Sequence, residues 1–186
     1  MQVHGGMGYI EETGACQYLR DARISTIYEG TTGIQAADLT GRKLATDQGA
    51  AMAELIAEMR EIALELERSA DTRLAPVGAA VVTSVQALED ATGWMLRALA
   101  KDVDEALASS FDYLMLTGYV CGGWQMARAA LAASRRCAAG EDPDFHEAKI
   151  ATVRFYADKI LPKANSHLEM IRSGASSASD IAVEQF

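Results

Sequence analysis

Cysteine is scarce in this chain: Cys16, Cys121 and Cys137 are three residues among 186, with no C-x-x-C pair. An odd set without close spacing excludes a disulfide framework and suits reduced thiols in a cytoplasmic protein. Positive charge is also short, 17 Lys and Arg against 26 Asp and Glu, for a net charge of -9 and a pI near 4.8. Nucleic acids and anionic membranes call for clustered cations, and here the basic residues are scattered. Prolines number three, and no segment alternates apolar and polar residues with the period of a strand. No apolar run approaches the ~20 residues that span a bilayer, and no charged segment leads into an apolar one at the N-terminus. What remains is a soluble, all-α chain long enough for a real core.

Helical periodicity is plain after residue 46. Met52, Leu55, Ile56, Met59, Ile62 and Leu66 recur at helical spacing between Ala50 and Glu67, while Glu54, Glu58, Glu61 and Glu65 take the other face. A second helix is expected from about Leu74 to Ala100, with Pro76 in its first turn and a stripe of Val77, Val81, Val85, Leu88, Met95 and Leu99. A third covers about Asp102 to Ala139, interrupted at "TGYVCGGW", whose glycines imply a kink or close packing. "GEDPDF" breaks the chain, with Asp142 as N-cap and Pro143 at the first helical position. The last long helix should run to about Ser173, bent at Pro162, with an apolar face from Phe145 through Ile150, Val153 and Ala157 to Ile171. Ser173 to Ser179 reads as a loop.

Residues 1 to 46 differ in kind, holding seven of the fifteen glycines. The expected division is 1–46 as one region and 47–186 as a helical bundle, with helices over Glu11 to Ile24 and Gly33 to Leu44 in the first. A Gly-rich turn at the second residue, with no element before it, reads as the start of a truncated chain. In "QVHGGMGY", closely spaced glycines let backbone amides approach a ligand or simply make a turn. His4 by itself reads as structural. Arg20, Asp21 and Arg23 in "YLRDARI" could hold an anion, though such clusters are usually solvated or locally paired. In "IYEGTTGIQ", Glu29 stands between Tyr28 and a run of small residues opening a helix, where a carboxylate also favours the helix dipole. The methionines, Trp94 and Trp124 read as packing residues.

The ordered combination is more specific than its parts. Q-x-x-G-G-x-G, then R-D-A-R, then I-Y-E-G-T-x-x-I-Q, all within 34 residues of one another, resembles the acyl-CoA dehydrogenase family near the end of its catalytic region. In that family a carboxylate removes the α proton of an acyl-CoA thioester while FAD takes a hydride from the β carbon. The resemblance implies Glu29 as that base. It further implies that Gln2, Gly5 and Gly6 touch the flavin of a neighbouring subunit, that Thr31, Thr32 and Gly33 contact FAD beside the base, and that Gly30 lines the acyl-CoA site.

A general base needs positioning against one C–H bond and a pKa raised by burial, for which Tyr28 is expected to provide dry surroundings. No metal is expected. The bundle after residue 46 resembles the additional helical domain of the longer acyl-CoA dehydrogenases, a group that includes the methylthiopropanoyl-CoA dehydrogenases. By the same resemblance the N-terminal helical domain, the middle β domain and the first bundle helices lie outside this chain. The chain is therefore expected to be a C-terminal piece, inactive alone and part of a homo-oligomer. Its complete enzyme would pass electrons to an electron-transfer flavoprotein or a similar acceptor. The competing reading is a non-enzymatic helical oligomerisation module.

Overall fold

The glutamate-rich face of residues 50–67 is exposed and its apolar stripe is turned inward, so this segment forms a helix that buries Ile56, Met59, Ala63 and Leu66. The computed structural model describes residues 1–28, 30–175 and 183–185, and every regular element among them is helical. The helices are α1 (Ala15–Ile24), α2 (Thr32–Ala37), α3 (Ala50–Glu67), α4 (Ala75–Lys101), α5 (Val103–Ala108), α6 (Ser110–Ala138), α7 (Pro143–Lys159) and α8 (Lys163–Ser173). Short 3-10 turns cover Gln2–Gly8, Glu11–Thr13 and Val183–Gln185, and a π-helical segment covers Asp38–Leu44. The all-α expectation is met. Most of the loop expected up to Ser179 lies outside the described residues.

The chain divides into two compact units, Met1–Gln35 and Ala36–Phe186. In the larger, α4 is central, packing on α3, α5, α6, α7, α8 and the π segment. Its stripe Val77, Val81, Val85, Leu88 and Met95 is buried as expected, with Leu99 at the margin. Tyr113 and Leu116 from α6, Ile150 from α7, and Ile171 from α8 complete the core. The smaller unit buries little: among its described residues Gly8 and Cys16 are buried, while Val3, Met7, Tyr9, Tyr18, Leu19, Ile27, Tyr28 and Ile34 are exposed.

Several boundaries differ from the sequence expectations. The helix expected over Glu11 to Ile24 begins only at Ala15, because Gly14 takes a left-handed conformation at φ 70°. The third helix breaks at Ser109, not at "TGYVCGGW". Asp102 is extended, and its side chain accepts the Asp104 and Glu105 N–H groups, starting α5 afresh. The glycines serve close packing: a Cβ on Gly122 would collide with the Tyr156 hydroxyl, which donates to the Tyr119 carbonyl at 3.1 Å. Pro162 separates α7 from α8 instead of bending one helix. Asp142 sits at the N-cap position of α7 but at φ 39°, and its side chain caps nothing there. Phe145, expected in the apolar face, is exposed because α7 turns Ile150, Val153 and Ala157 inward.

Candidate functional site

Glu29, the expected base, lies outside the described residues. Its neighbours are placed. After α1 the chain turns, with Ile27 and Tyr28 N–H groups donating to the Ile24 carbonyl at 2.9 and 3.1 Å. Tyr28 is 64% exposed, so within this chain it does not supply the dry wall expected of it. Gly30 stands at φ 102°, a conformation that L side chains avoid. A Cβ there would meet only ordinary contacts, so backbone conformation and not space requires glycine.

Thr31 opens α2. Its hydroxyl accepts the Ile34 N–H at 3.3 Å and its carbonyl accepts the Gln35 N–H at 3.0 Å, the pattern of an N-cap. Thr32 and Gly33 begin the helix and are exposed, and first-turn amides have no intrahelical acceptor. Gln2, Gly5 and Gly6 belong to a different element, the turn Gln2–Gly8, which packs on the second 3-10 turn and on α1. Gly5 breaks that turn at φ 57°, and no atom lies within 4 Å of where a Cβ would stand on Gly5 or Gly6. The Thr13 hydroxyl ties the turn down by donating to the Met7 carbonyl at 2.7 Å. His4 is exposed. Arg20 pairs at 3.5 Å with Glu11, and Arg23 donates to the Thr26 hydroxyl, both in solvent, as the bland reading of "YLRDARI" expects.

The bundle holds polar constellations that composition did not single out. Thr92 and Tyr113 hydroxyls meet at 2.9 Å in the core, Thr92 also donating to the Leu88 carbonyl at 2.7 Å. Burial pushes the Tyr113 phenol up to about 12. Thr92 falls in the stripe between Leu88 and Met95, which was the available signal for a buried hydroxyl. Asp71 gathers Arg73 and the Ser134 hydroxyl, and Arg73 reaches on to Glu147 of α7. His167 Nδ1 lies 2.8 Å from Asp112, its ring stacked on Tyr119. An open hollow of about 470 Å³ between α3 and α6 is lined by Glu61, Glu65, Arg68 and Arg135, of which Arg135 and Glu65 pair with each other. Among the described residues no group of His, Cys, Asp and Glu could hold a metal ion, and no helix is long and apolar enough to cross a membrane. The three cysteines are free.

Two family models match the chain in sequence. Residues 1–44 match the acyl-CoA dehydrogenase C-terminal domain, and residues 43–182 match the model described as acetyl-CoA dehydrogenase C-terminal like. A 3-methylmercaptopropionyl-CoA dehydrogenase of Ruegeria pomeroyi is 43% identical over 173 residues, covering 89% of this chain and 28% of that protein. A broad-specificity linear acyl-CoA dehydrogenase of Mycobacterium tuberculosis is 33% identical over 187 residues, covering 93% of this chain and 30% of that protein. A short-chain specific acyl-CoA dehydrogenase from mitochondria of Rattus norvegicus is 52% identical over 44 residues, 24% of this chain and 11% of that protein. The chain thus spans less than a third of the length of these relatives.

Proposed function

The chain belongs to the acyl-CoA dehydrogenase family, and from that premise we propose that it forms the C-terminal part of an FAD-dependent enzyme performing α,β-dehydrogenation of an acyl-CoA thioester. Residues 1–46 complete the catalytic helical region, and residues 47–186 form an additional helical domain. The observation that carries the reading is the order of three blocks, Gln2 to Gly8, Arg20 to Arg23 and Ile27 to Gln35, inside a segment that matches the family's catalytic C-terminal domain.

The residues present fit a bound flavin. Gly5 and Gly6 keep the space beyond their backbone open, and Gly5 holds the positive φ that such an approach needs. The Thr31 hydroxyl is engaged by Ile34, which fixes the start of α2 and leaves the Thr32 and Gly33 amides without intrahelical acceptors, so that they would be the donors to hold the cofactor. When bound, FAD supplies the acceptor for the hydride leaving the β carbon. Glu29 takes the α proton on a carboxylate oxygen. Its main-chain N–H is offered to the thioester carbonyl, where negative charge develops. Gly30, without a side chain, lets the thioester come within reach. Gln2, Gly5 and Gly6 serve the flavin of a second subunit, so the assembly is a homo-oligomer, with an electron-transfer flavoprotein or similar acceptor as electron partner. Three free cysteines favour a cytoplasmic setting.

Glu29→Gln in the complete, FAD-loaded enzyme tests the assignment. The amide keeps the shape and takes no proton, so flavin reduction by acyl-CoA should slow by about 10² to 10⁴ while cofactor content and ligand affinity hold. Near-parental bleaching in anaerobic stopped flow would place the base elsewhere. The 186 residues alone are expected to show no acyl-CoA dehydrogenation, read with an artificial electron acceptor.

A further inference from the structure

Thr32–Leu44 is one continuous helical run, α2 passing at Ala37 into the π segment without leaving helical geometry. Its two ends differ. Thr32 and Gly33 start it exposed, with amides that have no intrahelical acceptor, while Ala36, Thr40 and Leu44 further along are buried. Successive residues of a helix stand about 100° apart around its axis, so the burial of the second half decides on which side of the rod the first-turn amides lie.

The π form is not what local energetics select. Thr83, Thr92, Thr117 and Thr152, all within α-helices, each donate the hydroxyl to the carbonyl four residues back, at 3.0, 2.7, 2.7 and 2.9 Å. Thr40 is fully buried, and its hydroxyl has no hydrogen-bond partner. The π segment thus forgoes a bond that an ordinary turn offers and leaves a buried polar group unpaired, which costs stability. Asp38 holds the wide turn open. Its carboxylate accepts from Arg42 Nε at 2.5 Å and Nη2 at 2.9 Å, four residues on, and pairs with Lys43 Nζ at 3.5 Å, five residues on.

An i→i+5 turn holds one residue more than an α turn, so it takes up an extra residue while the helix on either side keeps its register; such turns are frequent at functional sites. Closed as α with every residue kept, Asp38–Leu44 would rotate all that precedes it by about 100° and move it about 1.5 Å along the axis. We infer that the π segment is a positioning device, whose extra residue keeps the Thr32 and Gly33 amides in register with the buried stripe of Ala36, Thr40 and Leu44. The inference rests on the reading of those amides as flavin donors.

Length changes at Gly41, which is exposed and has only Leu107 within reach of a Cβ at 3.9 Å, test it in the complete enzyme. Deleting Gly41 removes the extra residue. The segment then closes as α, Ala36, Thr40 and Leu44 stay on one face at spacings of four and three, and FAD affinity should stay within about threefold of the parent. An alanine inserted after Gly41 has no turn left to absorb it. It should rotate the amides by about 100° and weaken FAD binding at least about tenfold, with the absorption bands of the remaining bound flavin shifted. A helix whose register simply follows its length would reject both changes alike, and a slack connection would accept both; either result overturns the proposal.

Two further measurements separate the register from the site. Thermal melts of the 186-residue chain without flavin should place the Gly41 deletion at or above the parent, because Thr40 regains the Ala36 carbonyl as acceptor. A clear loss of stability overturns the proposal whatever the flavin does. Thr32→Pro keeps the first turn but removes one amide, and should weaken FAD binding at least about tenfold. Unchanged affinity would overturn the flavin reading, and the positioning role with it, while the melts still report the turn.

Discussion

Asp71 grips Arg73 with both carboxylate oxygens, Oδ1 accepting from Nε at 2.8 Å and Oδ2 from Nη2 at 2.7 Å, across a separation of two residues. The Arg73 N–H and the Ser134 hydroxyl add to the same carboxylate at 3.1 and 3.0 Å. The Arg73 guanidinium foremost holds the Asp71 carboxyl down at about 2. A depressed carboxylate contributes stability that is present above its unfolded pKa, near 4, and is lost as pH falls through about 2. Asp71→Asn should therefore cost about 1 to 2 kcal/mol at pH 7 in urea unfolding. The gap between parent and variant should close as pH drops from about 4 to about 2.

The Thr92 and Tyr113 hydroxyls are not equivalent, although they share one hydrogen bond. Thr92 keeps its bond to the Leu88 carbonyl if Tyr113 becomes Phe, while Tyr113 is left with a buried, unpaired hydroxyl if Thr92 becomes Val. Tyr113→Phe should cost about 0.5 to 1.5 kcal/mol and Thr92→Val about 1 to 3 kcal/mol. Because burial raises the phenol to about 12, the parent should lose stability as pH climbs from about 10 through that value. Tyr113→Phe should remove Tyr113's contribution to that loss.

Two helical glycines should answer alanine in opposite ways. A Cβ on Gly78 of α4 would come 2.9 Å from the Ala63 carbonyl oxygen of α3, where backbone cannot step aside. Gly78→Ala is expected to destabilise by about 1 to 3 kcal/mol despite the better helix former. Gly118 of α6 has no atom within 4 Å of that position. Gly118→Ala should stabilise by about 0.5 to 1 kcal/mol. Thermal melts of the two variants, run side by side, decide it.

Residues 36–46 pack with the bundle: Ala36, Thr40 and Leu44 are buried, and the π segment contacts α3, α4, α5 and α6. A chain starting at residue 36 should melt close to the parent bundle. One starting at residue 47 should be about 2 to 4 kcal/mol weaker, because Leu44 and its neighbours leave a cavity behind. Equal stability of the two would show that the π segment contributes nothing to the core.

The long helices were legible because burial follows period: α3 runs from Ala50 to Glu67 as expected, and α4 is displaced by one residue at each end. What escaped the sequence were events decided by one residue's conformation or by a neighbour. Gly14 and Asp102 start helices anew for local reasons, while α6 runs unbroken through Gly122 and Gly123, where Tyr156 and Leu161 fill the room they make. Nor did periodicity announce the π segment at Asp38–Leu44, whose apolar residues look the same in either helix type. Phe145 was misjudged since α7's inward face is narrow and ends at Ile150. In the candidate site, glycine at positions 5 and 30 goes with the positive φ found at both. The exposure of Tyr28 was not legible, because an aromatic side chain shields only where something lies over it.

α4 packs on α3, α5, α6, α7, α8 and the π segment. Its amides therefore have no private route to solvent: freeing any central turn means detaching several neighbours at once. Under native conditions its hydrogens should exchange only on the clock of complete unfolding, while those of 1–35 exchange as the unit breathes. The bundle then melts as one cooperative event, and a single slow-exchanging helix reports its entire free energy.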